Sequence, residues 1–385
     1  MRVFIIAGEP SGDKLGAALM QGLRQLNPDV SFSGIGGDLM QAQGLSSLFP
    51  MNELSVMGIA EILPKYRSLK ARIRQTAQQV VDEAPDVLVT IDSPDFSFRV
   101  AKRVKASSSV RTVHYVAPTV WAWRPRRAEK ISKFIDHLLT LFPFEPPYFT
   151  KHGMDCDFVG HPVVAEPVAS DDEAANFRRE HGIGDAPLLL VLPGSRQGEV
   201  ARLTGVFGQA VSDLAMRRPD LKVVVPAAGP VAAAVNMAVS DWPVPALVLN
   251  PSDMGLEASV VRKRAAFRAA DVALAASGTV SLELAAARTP MVIAYKMNWL
   301  SFRLIRAMAL VDTVTLVNLV SDTRAVPEFL GPECQAAPVA EALETVFTEP
   351  DQQNAAMDRT MQLLGKGEDA PGLRAARAIL DRMNA

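Results

Sequence analysis

Several segments of the chain hold chemically capable residues where an apolar run gives way to a polar turn. VLVTIDSPDF puts Asp92 at the end of such a run. A carboxylate there takes a proton from a sugar hydroxyl once desolvation or a neighbouring negative charge raises its pKa. The plainer use of an acid at this point is to cap the helix that starts near Phe96; we assign the cap to Asp95 and the chemistry to Asp92. LLLVLPGSRQGEV closes its run with Gly194, Ser195 and Arg196. Backbone amides beside a fixed guanidinium bind a diphosphate; the alternative is a helix-capping turn with a surface arginine. DVALAASGTVSLELAAA supplies Ser277, Gly278 and Thr279 ahead of a helix carrying Glu283. Oxygen ligands and a helix start suit a nucleotide's phosphate, and a nearby carboxylate suits its ribose.

Two segments nearer the N-terminus say less alone. IIAGEPSGDKLG builds a turn on Gly8, Ser11 and Gly12 that lets backbone approach an anion, or else serves as a helix cap with Ser11 and Asp13 satisfying its donors. It lacks both the G-x-G-x-x-G spacing of a dinucleotide site and the Gly-Lys-Ser/Thr of a P-loop. HYVAPTVWAWRPRRAEKI sets Trp121 and Trp123 beside Arg124, Arg126 and Arg127. Such rings line a sugar or acyl site near anionic headgroups, or anchor a loop. Asp155-Cys156-Asp157 has the look of a metal-holding acid pair but no companion ligands, and His152, His161 and His181 are scattered in turn regions, so no metal site is expected.

The elements that must position these residues follow from the hydrophobic pattern. Apolar runs at 2–7, 30–34, 86–92, 111–116 and 137–142, then at 188–192, 221–226, 246–249, 271–275 and 291–295, alternate with helical patterns. Runs apolar throughout suit strands covered on both faces, so each half predicts its own doubly wound parallel sheet. In open sheets of this kind ligands bind at the carboxyl ends of strands, and two such lobes are expected to face a central cleft. The lobes meet in the proline-bearing stretch 160–170, and helices close the chain at 325–330, 339–347, 351–364 and 372–383.

At 385 residues the chain exceeds one ordinary core, and 49% apolar with 21% charged residues provides for two. A formal net charge of −2 argues against a nucleic-acid partner. The two cysteines, Cys156 and Cys334, are expected to be reduced, as in a cytoplasmic protein. The apolar run in MRVFIIAGEP is too short for a signal peptide, and the longest uncharged stretch, 223–240, is cut by Pro226, Gly229 and Pro230, so no transmembrane helix is expected.

Together AGEPSGD, SVMGIAEIL, IDSPDFSFRVAK, HYVAPTVWAWR, FPFE, FVGHP, LPGSR, ASGTVSLE and TLVNL resemble the lipid-A-disaccharide synthase family across nearly the whole chain. The resemblance implies a GT-B glycosyltransferase: an N-terminal acceptor-binding lobe at 1–165, a UDP-sugar-binding lobe at 166–345, and C-terminal helices at 346–385 that can pack back on the first lobe. It implies a UDP-linked acylated glucosamine donor, an acylated glucosamine 1-phosphate acceptor, inversion, no cofactor and no activating metal, and it leaves room for a homo-oligomer. Asp92 becomes the base. Gly194, Ser195, Arg196, Ser277, Gly278, Thr279, Glu283 and Asn318 fall on the UDP side, and Ser11, Gly12, Trp121 and Trp123 on the acceptor side. Acylated substrates imply peripheral contact with the cytoplasmic face of the inner membrane. The apolar stretch 54–63, with Met57, Ile59 and Ile62, followed by Lys65, Arg67, Lys70, Arg72 and Arg74, fits interfacial insertion, or equally a buried helix with a solvated basic extension. Rival readings are a UDP-sugar epimerase of the same fold and a nucleotide-sugar-binding protein without turnover.

Overall fold

The computed structural model describes residues 1–54 and 59–384. The chain divides into two compact units, Met1–Ala165 with Leu364–Ala385, and Glu166–Leu363.

The first unit holds strands β1 (Arg2–Ala7), β2 (Ser31–Ile35), β3 (Ser46–Ser47), β4 (Val87–Ile91), β5 (Arg111–Tyr115), β6 (His137–Thr140) and β7 (Asp155–Phe158). They form one parallel sheet in the order β3-β2-β1-β4-β5-β6-β7. β4 is buried along its whole length, as its apolar run requires. Phe4, Ile6, Leu88, Phe96, Val100, Ile73 and Val80 join into one core beneath helices Ile59–Glu83 and Pro94–Ser107. Helix Pro371–Asn384 belongs to this unit and packs on helix Pro10–Leu26. The two backbones meet at glycines: a β-carbon on Gly372 would lie 2.5 Å from the Ala18 carbonyl, and one on Gly22 2.6 Å from the Gly372 carbonyl.

The second unit holds β8 (Leu188–Leu192), β9 (Lys222–Pro226), β10 (Ala246–Leu249), β11 (Val272–Ala276), β12 (Met291–Tyr295) and β13 (Glu328–Leu330), again all parallel, in the order β10-β9-β8-β11-β12-β13. Both orders reverse direction once, between β1 and β4 and between β8 and β11. Those are the switch points at which this architecture leaves a crevice for ligand.

Two local expectations are corrected. Residues 325–330 were expected to be helical, yet β13 occupies 328–330. Ile293 N–H donates to the Pro327 carbonyl at 3.0 Å, and the segment pairs with the free edge of β12, which outweighs the helix propensity of its Ala, Glu and Leu. Asp95 does not cap its helix: Ser93 holds the cap position, Pro94 opens the first turn, and Asp95 follows, exposed.

Candidate functional site

In the first unit β1 and β4 run in register with Ala7 opposite Ile91, so the turns that leave them are neighbours. Contact between the turns is close enough that a β-carbon on Gly8 would lie 2.6 Å from Ser93 Oγ. Asp92 and Ser93 both take left-handed backbone, φ 47° and 43°, and Val116 beside them after β5 has φ 84°. Non-glycine residues in that region cost roughly 1–3 kcal/mol each and persist where the surroundings hold them. Here Asp92 N–H donates to the Tyr115 carbonyl at 3.0 Å, and Ser97 Oγ–H donates to the Asp92 carbonyl at 2.8 Å. The Asp92 backbone is thus fixed at the switch point, and the residue is half-buried there. Burial raises its pKa, against the weaker pull of the Ser93 backbone amide. A carboxylate of raised basicity is what a general base requires.

The Gly-Ser-Gly turn splits into different tasks. Ser11 is exposed in the first turn of helix Pro10–Leu26, whose N1 position accepts Pro10 because no amide is needed there. Gly12 is buried, and a β-carbon there would meet Ala7 at 3.4 Å and the Ile91 carbonyl at 3.6 Å. Asp13 caps a neighbour rather than its own helix: its carboxylate accepts from the amides of Gly37, Leu39 and Met40 at 2.8, 3.0 and 3.1 Å.

The two tryptophans also part company. Trp121 is buried edge-on to Phe142 and Phe144, and its indole N–H donates to Glu145 Oε1 at 3.1 Å. Glu145 Oε2 accepts from the amides of Leu141 and Phe142, and burial pushes this carboxyl from an ordinary 4.5 up to about 7. Trp121 is therefore the loop's anchor, which corrects its expected place on an acceptor surface. Trp123 is exposed, with the Arg124 guanidinium 4.2 Å from its ring centre. Glu145 was not singled out from sequence; the signal was a lone acid in an aromatic FPFE run.

In the second unit the turns after β8 and β11 are likewise neighbours, with Leu192 opposite Ala275. Gly194 has φ 109°, and a β-carbon there would lie 2.5 Å from Glu199 Oε2. Glu199 reaches back from the first turn of helix Gln197–Ala215 to accept from the Ser195 and Arg196 amides at 3.1 and 3.3 Å. Two amides expected to serve a diphosphate are thus occupied by Glu199, an acid at the third helical position whose spacing is that of a capping residue. The Arg196 side chain remains 71% exposed. After β11, Gly278 is exposed with φ 155°, and a β-carbon there would touch nothing within 4 Å, so backbone is open to close approach. Ser277 and Thr279 flank it ahead of helix Val280–Ala287, and Glu283 pairs with Lys263 Nζ at 2.8 Å. That pair is partly exposed and weakly held, so either partner can exchange for ligand. Asn318 corrects an expectation. It is 1% exposed, donates to Thr313 Oγ1 and the Val326 carbonyl, and accepts from the Val326 amide. Its amide staples the 313–326 loop and has no face left for a nucleotide.

A profile of the Lipid-A-disaccharide synthetase family matches residues 3–378. The chain is 60% identical over 383 residues to the lipid-A-disaccharide synthase of Ruegeria pomeroyi, across 100% of this chain and 96% of that one. The chain belongs to the lipid-A-disaccharide synthase family. A second member, from Rhodospirillum centenum, is 48% identical over 386 residues, 98% of this chain and 94% of its own. Among solved structures, the UDP-GlcNAc 2-epimerase of Neisseria meningitidis bound to UDP-GlcNAc superposes with a TM-score of 0.64 at 12% identity, covering 100% of both chains. The UDP-GlcNAc 2-epimerase of Methanocaldococcus jannaschii in complex with UDP-GlcNAc and UDP gives 0.61 at 12%, over 100% of both chains. At such identity the likeness is one of fold, and the fold is the two-unit GT-B type; the sequence places the chain among the synthases.

Other residues weighed from sequence have structural partners in this family member. Asp155 pairs with Arg111 and Arg382, and Asp157 with His137 and Arg382. His137 first and then Arg382 hold the Asp157 carboxyl far below the ordinary range. Among the described residues no cluster of His, Cys, Asp or Glu is arranged to hold a metal, and no helix is long and apolar enough to cross a membrane. Of the interfacial segment, Met57 lies outside the described residues, as do the side chains of Ile59 and Ile62. Farther along helix Ile59–Glu83, Ile73, Ala77 and Val80 are core residues. Arg72 is committed to Glu53 through two bonds of 2.8 Å and to the face of Phe49, which removes it from the basic group expected at headgroups.

Proposed function

We propose that this chain condenses UDP-2,3-diacylglucosamine with 2,3-diacylglucosamine 1-phosphate, giving the β-1,6-linked disaccharide 1-phosphate and UDP in lipid A biosynthesis. Full-length family membership at 60% identity carries the reading. The half-buried, raised-pKa Asp92 at the first switch point supports it. In the proposed step Asp92 takes the proton of the acceptor's 6-hydroxyl, and that oxygen bonds to the donor's anomeric carbon with inversion. The bond from that carbon to the UDP oxygen breaks through an oxocarbenium-like transition state. Arg196 and the open backbone at Gly278 stabilise the departing diphosphate, while Ser277, Thr279 and Glu283 take the nucleotide. The first unit holds the acceptor, with Ser11, Gly12 and Trp123 on its side, and the second holds the donor. Neither a metal nor a cofactor enters the step. Because both substrates carry acyl chains, the protein works peripherally at the cytoplasmic face of the inner membrane.

Incubation of the purified chain with both acylated glucosamines, followed by mass spectrometry, tests this directly. The disaccharide 1-phosphate forms together with UDP, and only when both lipids are present. UDP-sugar interconversion without acceptor would instead establish the epimerase reading, and tight donor binding without any product would establish a binding protein.

A further inference from the structure

Among the described residues, the second unit presents a helix whose apolar side chains stay largely open to solvent. Helix Trp299–Met308 touches the body of the unit through Phe302, whose ring fills the space a β-carbon on Gly331 would take. Leu304 is 59% exposed, Ile305 50% and Met308 37%. Met308 lies four residues after Leu304 and three after Ile305, the spacings that make helical neighbours, so these three form a stripe turned away from Phe302. Leu310, just past the helix, extends it. The opposite side carries Trp299, 63% exposed, with the Arg303 guanidinium 6.0 Å from its ring centre, and Arg306, whose nearest acid is Glu333 at 3.8 Å. Among the described residues Arg303 pairs with no carboxylate. Lys296, also exposed, adds a third positive charge beside the helix start.

We infer that helix Trp299–Met308 lies in the surface of a bilayer containing anionic lipid, with Leu304, Ile305 and Met308 among the acyl chains and Arg303, Arg306 and Trp299 at headgroup level. Three observations favour this occupant. Apolar residues on one side and arginines on the other is the pattern of an in-plane interfacial helix. Tryptophan settles at the boundary between hydrocarbon and water, and arginine stems reach from apolar surroundings to phosphates. A second copy of the chain fits less well, since a ten-residue helix offers far less than the ~800 Å² per partner of a stable interface. The inference rests on the peripheral membrane contact proposed above and places a contact in the second unit, separate from the stretch 54–63.

The test uses the full chain and vesicles of phosphatidylcholine with or without phosphatidylglycerol. The triple variant Leu304→Ser, Ile305→Ser, Met308→Ser should lose roughly a hundredfold of vesicle affinity at every salt concentration, because apolar burial is removed. Arg303→Gln with Arg306→Gln should lose affinity for phosphatidylglycerol vesicles at low salt only. Both should keep the wild-type melting temperature, these side chains being exposed, and wild-type condensation of detergent-dispersed substrates. Acyl-chain-brominated lipids should quench a component of the wild-type fluorescence that Trp299→Phe lacks. A serine variant that pellets with vesicles as wild type does, or that has a lower mass in solution than wild type with vesicle affinity intact, overturns the inference. Should that variant unfold, the absence of a Trp299-dependent quench overturns it alone. Failure of the functional reading registers separately, as no disaccharide from dispersed substrates in the wild type.

Discussion

Asp92 combines three properties that seldom meet by accident in one residue: left-handed backbone, partial burial and a position at a sheet's switch point. Asparagine tolerates φ near 47° as well as aspartate does, so Asp92→Asn should melt within a degree or two of wild type. Its single-turnover rate should fall roughly 10²–10⁴-fold. Near-normal turnover would remove Asp92 from the chemistry. Because burial raises this pKa, the acid limb of the wild-type rate profile should lie above the ordinary carboxylate range, since the base works only when deprotonated. Glu145 gives a pH signature in stability instead. Its folded pKa of about 7 exceeds the unfolded 4.5, so the folded state binds the proton more tightly. The associated stability is complete below pH 4.5 and is lost as pH rises through about 7. Glu145→Gln, which keeps an acceptor for Trp121, should flatten the fall in melting temperature across that window; an unchanged slope would reassign the effect to another group.

Between elements, the close approaches are made by residues that have no side chain to interfere. Gly372→Val pushes a branched side chain into the Ala18 carbonyl where helices Pro10–Leu26 and Pro371–Asn384 meet. Overpacking of this kind costs about 1–3 kcal/mol, read as a lowered denaturation midpoint with the slope unchanged. A midpoint equal to wild type would mean the helices separate there freely. The same scale shows what sequence can carry. Each of the ten runs became a strand, and the central ones, such as Val87–Ile91 and Leu188–Leu192, were plainest because a strand covered on both faces must be apolar along its length. Ser46–Ser47, Asp155–Phe158 and Glu328–Leu330 escaped notice. They are edge strands, short or charged, and pairing with a neighbour alone makes them strands. Motif positions were legible for the same reason as the central strands: the turns follow strand ends. Occupancy was not. Nothing in LPGSR reveals that Glu199 fills two of its amides, or in TLVNL that Asn318 is spent on Thr313 and Val326.

For the whole molecule, the donor's diphosphate charge is assigned to Arg196 and backbone, so condensation should survive exhaustive EDTA treatment. A requirement for added divalent cation would overturn that account of the leaving group. The chain's path has a separate consequence. The first unit is begun by residues 1–165 but finished by Leu364–Ala385, and Arg382 reaches Asp157 across 225 positions of sequence. On a ribosome making about 5–20 residues per second, the intervening second unit takes roughly ten to forty seconds to emerge. Throughout that interval the nascent first unit shows the bare side of helix Pro10–Leu26 and the unguarded edge strand Asp155–Phe158 to whatever else is in solution. The second unit can therefore complete its fold before the first, and a chain stopped short of Pro371 should be a client of chaperones rather than a smaller working protein.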